Sequence, residues 1–256
     1  MSRPSERAQL SVTEAELRVL TDELDEAHRG SLPAMRAELT KLAGPSRRGM
    51  LLGGLAAGGL VGLAAGCSGD ANNAAAAPTV SPGSPGTASY TGENRVVALA
   101  AALENLAVLA YDGVARRAAA GTYGSVPPAV SRFVSTVRAQ HAEHAAAWNS
   151  VLTAAKLPPV TGAPLKITPS VTNALNSTKS LTDVASFALS LEDSAAQTYV
   201  KVTGTASNPR AISTAATIAP VEAMHAAVLN LLLGRPPVPD TFIPTRLSVN
   251  PNELTS

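Results

Sequence analysis

Two stretches of this chain repeat each other, and the repeat limits the folds open to it more than any other feature. "LENLAVLAY" (103–111) and "LEDSAAQTY" (191–199) both read Leu-Glu, six residues, Tyr. "HAEHAAAWN" (141–149) and "EAMHAAVLN" (222–230) share His-Ala-Ala and a trailing Asn. Each copy lies inside a long apolar segment, and the four segments cover 94–120, 127–156, 180–204 and 208–234. Prolines, an Asn-Pro pair and terminal glycines punctuate them as helices. Aromatics make up only 3% of the 256 residues while alanine is abundant, which favours closely packed helices over a sheet. The expectation is an all-α four-helix bundle over 93–235, its halves joined by a long crossover loop through the Pro-rich 157–170. A Pro-rich extended tail follows at 236–256.

The repeat puts charge where a bundle buries its side chains. Charged groups are almost never fully buried unless paired or bound to metal. Residues three apart on a helix reach one point off its face, which suits an ion. Di-iron and di-manganese bundles use one Glu from each of two helices and a Glu-x-x-His from each of the other two. This chain offers Glu104, Glu192, the pair Glu222/His225 and the pair His141/His144, so three of its four histidines fall on such positions. Tyr111 and Tyr199, two turns beyond their glutamates on the same faces, are read as hydrogen-bond donors behind the ligands, as electron relays, or as packing residues. Gln140 and Glu143 are expected to face solvent, with a shifted register that turns both inward as the alternative. Trp148 is expected in the core and Asp193 in solvent. In a metal-free core, at least one buried glutamate is expected to titrate with a raised pKa, because desolvation favours its neutral form.

The segment "SRRGMLLGGLAAGGLVGLAAGCSG" (46–69) is set apart from the fold. Its apolar run is shorter than the roughly 20 residues a spanning helix needs. Arg47-Arg48 followed by Leu51 and Leu52 resembles a twin-arginine export signal, and "LAAGC" resembles a lipobox. The resemblance implies cleavage before Cys67, acylation of its sulfur, and anchoring on the outer face of the cytoplasmic membrane. An uncleaved anchor is the alternative. Residues 67–92 read as a disordered Ala/Ser/Pro/Gly tether. Residues 1–45 form a polar cytoplasmic segment in which Leu17, Leu20 and Leu24 line one helical stripe behind a Thr13/Glu16 capping box. A solvated helix without chemistry is the plain reading of it; a partner-binding helix or a misassigned start codon are the others.

The bundle segments resemble the ferritin-like superfamily, and within it the bacterial and plant branch that includes desiccation-related proteins. "LSLEDSAAQTY", "TAATIAPVEAMHAAVLNLLLG" and the ending "RPPVPDTF" carry the resemblance. It implies a carboxylate-bridged two-metal centre, iron first, as di-iron or mono-iron. Two residues depart from the pattern. His141 stands where a bridging glutamate is expected, which lowers the ligand charge from four negative to three and shifts preference toward zinc, copper or a single iron; manganese belongs to the same range. Pro220 removes a helical hydrogen bond beside Glu222.

Other classes are excluded or left open by composition. The net charge is +1, with eight basic and eight acidic residues in 1–66 and twelve and eleven in 67–256, and no basic stripe for nucleic acid. One cysteine rules out an internal disulfide framework. The expected partners are the twin-arginine translocation machinery, membrane lipid through Cys67, and a second copy of the chain in a homodimer. The leading expectation is an exported, tethered metal-binding bundle with iron or peroxide oxidation chemistry. The competing one is a metal-free structural or stress-protective envelope protein, and the sequence leaves open whether the chain is an enzyme.

Overall fold

The computed structural model describes residues 12–42 and 90–255, and every element among them is helical apart from one isolated β-bridge. Arg47, Arg48, the apolar run behind them, Cys67 and nearly all of the tether lie outside the described residues. The helices are α1 (Glu14–Leu42), α2 (Gly92–Ala119), α3 (Pro128–Ala154), α4 (Thr168–Ser177), α5 (Leu181–Thr205) and α6 (Pro209–Leu232). The four long repeat segments are α2, α3, α5 and α6, and they pack as an all-α bundle. α2 pairs with α3 and α5 with α6, while α3–α6 and α2–α5 contacts join the pairs.

Local chemistry sets the helix ends. Pro128 and Pro209 begin α3 and α6, where a missing amide proton costs nothing. Ser180 and Asp183 form a reciprocal capping box at the start of α5. Pro220 does not break α6. The ring lies on the exposed side, and so does Ala216, whose carbonyl loses its helical partner there.

The crossover contains the short helix α4, at the end of the stretch expected to be loop. Leu175 holds it against α2 at Gly113, where a Cβ would run into the Leu175 side chain. The tail is tied down: Arg95 donates to the carbonyls of Pro251 and Leu254, and Leu165 pairs with Leu254.

Two apolar clusters fill the bundle. One gathers Leu99, Trp148, Leu152, Tyr199, Val202 and Ile218; the other gathers Tyr111, Phe133, Val137, Leu189, Ala226 and Leu229. Between them along each helix lie the positions of Glu104, His141, His144, Glu192, Glu222 and His225. The core is thus two apolar layers with one polar layer between.

α1 is not solvated. Leu17, Thr21, Leu24 and His28 are buried, and the helix packs on α3 and α6. Its start is the expected box, with Thr13 and Glu16 each accepting from the other's backbone amide.

Candidate metal centre

Each long helix contributes one or two side chains to the polar layer. α2 supplies Glu104, α3 supplies His141 and His144, α5 supplies Glu192, and α6 supplies Glu222 and His225. All six are at most 2% exposed. The i, i+3 spacing on α3 and α6 turns both members of each pair inward, as helix geometry requires.

The six form two overlapping sets. Glu104, His141, His144 and Glu222 each offer one atom, and those atoms lie within 4.8 Å of one another. His141, Glu192, Glu222 and His225 do the same. Glu222 belongs to both sets through different oxygens: Oε1 lies 2.8 Å from His144 Nδ1 and Oε2 lies 3.0 Å from His225 Nδ1. His141 also belongs to both. Its Nδ1 is 2.7 Å from Glu104 Oε2, and its Nε2 is 3.3 Å from Glu192 Oε1. His225 Nδ1 is 3.2 Å from Glu192 Oε2, which closes the second set.

The tyrosines stand behind the carboxylates, but crossed between the halves. Tyr199 donates to Glu104 Oε1 at 2.5 Å, and Tyr111 donates to Glu192 Oε1. Each half of the repeat therefore orients the glutamate of the other. Pairing within one helix is ruled out by reach, since seven residues span about 10 Å of helix axis.

Burial and charge oppose each other throughout. Burial pushes Glu104 up, yet His144 and His141 outweigh it and hold the carboxyl down at about 2. Glu192 is likewise held well below its ordinary value by His141 and His225 against its burial. Burial pushes His144 down, and Glu222 with Glu104 raises it to about 9. His141 and His225 are also raised, by their facing carboxylates. The expected raised glutamate does not occur at these two positions, because the cations that desolvation calls for are imidazoliums. Tyr111 and Tyr199 rise well above their ordinary values through burial and then the adjoining carboxylates, so both remain donors.

Other residues fall in and out of place. Gln140 is only 2% exposed, not solvent-facing, and its Oε1 lies 2.7 Å from His225 Nε2. Glu143 keeps a half-exposed side chain, so neither whole-register reading holds. The buried stripe on α3 is wide enough to take both 140 and 141, along with Val137, His144 and Trp148. Trp148 is fully buried against the Tyr199 ring. Asp193 is half-buried, and burial with Glu192 beside it raises its pKa.

The residue missed entirely is His28. It comes from α1, is 3% exposed, and its ring centroid lies 5.1 Å from that of His144. The signal was present: His28 follows Leu24 by four residues on the same stripe.

On the α2–α5 side, a hollow of about 40 Å³ touches Glu104, His141 and Tyr199, room for a water-sized molecule.

A family model described as a ferritin-like domain matches residues 95–235, more than half of the chain. No curated protein and no solved structure matches it.

Proposed function

The chain belongs to the ferritin-like domain family, and on that premise we propose that its polar layer binds one or two transition-metal ions in an exported, membrane-tethered bundle. The observation that carries this reading is the pair of four-donor sets sharing Glu222 and His141. A carboxylate serves two ions readily, one oxygen to each. A neutral imidazole has one lone pair, so His141 completes one set and leaves the other with three protein donors. Three imidazoles with three carboxylates suit iron, zinc or copper better than magnesium or calcium. Bound iron or copper would supply redox chemistry, of the kind ferrous iron or peroxide oxidation uses, and zinc would not.

The chain's own residues prepare the layer. Tyr199 and Tyr111 fix the rotamers of Glu104 and Glu192, Tyr199 by occupying the Glu104 oxygen that faces away from His141 and Tyr111 by sharing Glu192 Oε1 with His141. Gln140 sets the outer nitrogen of His225, so that Nδ1 faces the carboxylates. The two apolar layers exclude bulk water. Since the histidines are held protonated by the glutamates, metal uptake releases protons, and affinity rises with pH.

Export and anchoring rest on Arg47-Arg48 and Cys67. The twin-arginine route carries folded proteins, which suits a bundle loaded before it leaves the cytoplasm.

One observation favours a second reading, that of a metal-free envelope protein. Three buried carboxylates face three imidazoles, so the layer can close its charges with protons alone. Metal content separates the two. The full chain, reconstituted in turn with iron, zinc, copper and manganese, should retain at least one ion per chain of one of them. His225→Ala and Glu222→Ala should lose it, Glu143→Ala should keep it, and His141→Glu should raise occupancy toward two by restoring a second bridging carboxylate. Equal retention in wild type and all three alanine variants contradicts the assignment.

A further inference from the structure

The two sides of the polar layer are closed by different parts of the chain. The carboxylate side, between α2 and α5, borders the small hollow beside Glu104. The histidine side, where α3 and α6 present His144 and His225, is covered by α1. That helix lies outside the family match, which begins at residue 95.

The cover is built for this face. Leu17, Thr21, Leu24 and His28 recur at spacings of four, three and four, one helical stripe, and all are buried. Leu17 and Leu24 join the apolar cluster that holds Phe133, Val137 and Leu229. At the rim, Asp22 pairs with Arg132 of α3. One turn past Leu24 on the stripe stands His28, whose ring tilts by 57° over His144, with Nε2 3.7 Å from Glu143 Oε2. Burial and the neighbouring His144 push His28 down to about 4, so the ring is neutral. All four histidines of the chain thus meet in one place, although one lies far upstream, beyond the segment read as an export signal.

We propose that α1 is a removable lid on the histidine side of the metal centre, with His28 as the positioning residue that seals the back of His144 until the chain is cut before Cys67. The proposal rests on the metal-centre reading and on the export reading above. Its physical content is separate from both: a docked helix blocks access to His144, and a cut between α1 and the bundle turns an intramolecular contact into a dilute bimolecular one. A chain loaded in the cytoplasm would carry its ion under the lid, and processing would expose the histidine side.

The test is a histidine footprint on the metal-free full chain, so that failure to bind metal and failure of the lid are told apart. Hydroxyl radicals oxidise accessible imidazoles whatever their protonation state, and mass spectrometry reads each histidine separately. In wild type, His144 should react slowly. In the Leu17→Asp/Leu24→Asp double variant it should react at least roughly tenfold faster, because local opening sets the rate, while His141 stays protected deep in the layer. His28→Ala should also expose His144, and His28→Phe, which keeps a ring in place, should not. Release is read by comparing the Arg47→Lys/Arg48→Lys precursor with processed protein from membranes, where His144 should be protected in the first and reactive in the second. Equal His144 rates in wild type, the double variant and His28→Ala overturn the lid. A chain that stays whole in the membrane, or a processed form as protected as the precursor, overturns its removal.

Discussion

The polar layer balances three carboxylates against three imidazoles, and that balance has a measurable sign. His144, raised to about 9 from an ordinary 6.5, contributes stability that is complete below pH 6.5 and lost as pH rises through 9. Glu104, lowered to about 2 from 4.5, contributes stability present above pH 4.5 and lost as pH falls toward 2. His28, lowered to about 4, costs stability as pH falls below 6.5, so the metal-free chain should be most stable near pH 6.5 and should weaken steadily from 6.5 to 9. The metal-loaded chain should not weaken there, since the ion replaces the protons. Thermal melts of both forms across that range check this, and a metal-free melting temperature that rises from pH 6.5 to 9 contradicts it. Much of the layer was legible beforehand. Glu104, Glu192, Glu222, His225, His141 and His144 follow from helical spacing and the internal repeat, because i, i+3 geometry is local. The crossed tyrosines were not legible, since which helix a phenol reaches depends on packing between halves. Gln140 was misplaced because a two-residue inward motif underestimates the width of a stripe buried on both sides.

At the scale of elements, the four long helices were readable from punctuation and apolar content, and their ends agree with the structure within a few residues. The helix α4 was not. Its ten residues follow a Pro-rich loop and bury only Leu175, too little periodicity to stand out. α1 was visible as an amphipathic helix with its capping box. Its docking partner was not visible, because nothing in a stripe of leucines says which face it will cover. Element boundaries also carry stability. Ser180 Oγ accepts from the Asp183 amide at 3.1 Å, and the Asp183 carboxylate accepts from the Lys179 and Ser180 amides at 2.8 and 3.0 Å. Ser180→Ala should cost about 1 kcal/mol in chemical denaturation. It should leave metal content unchanged, because Glu192 lies three turns further along α5. A loss of bound metal in that variant would mean that the start of α5 and the centre are coupled more tightly than their separation allows.

For the molecule as a whole, a ferritin-like bundle has been given a third histidine in its polar layer, a tied-down tail and an upstream helix over its histidine side. α2 and α6 are apolar enough to cross a membrane by length and composition, yet both are mostly buried in the bundle and carry Glu104, Glu222 and His225 into its centre. Their hydropathy is that of core helices. The proposed attachment to the membrane runs instead through Cys67 and the tether, which would leave the bundle free to load its ion before export. All of this turns on whether an ion occupies the layer between the two apolar clusters. The most direct measurement is anomalous diffraction from crystals of the reconstituted full chain, collected at the absorption edge of the retained metal. One or two peaks should lie among Glu104, His141, His144, Glu192, Glu222 and His225, within about 2.0–2.3 Å of their nitrogen and oxygen donors. Crystals of reconstituted chain with no peak in that layer, or with peaks only against exposed surface acids, would contradict the metal centre.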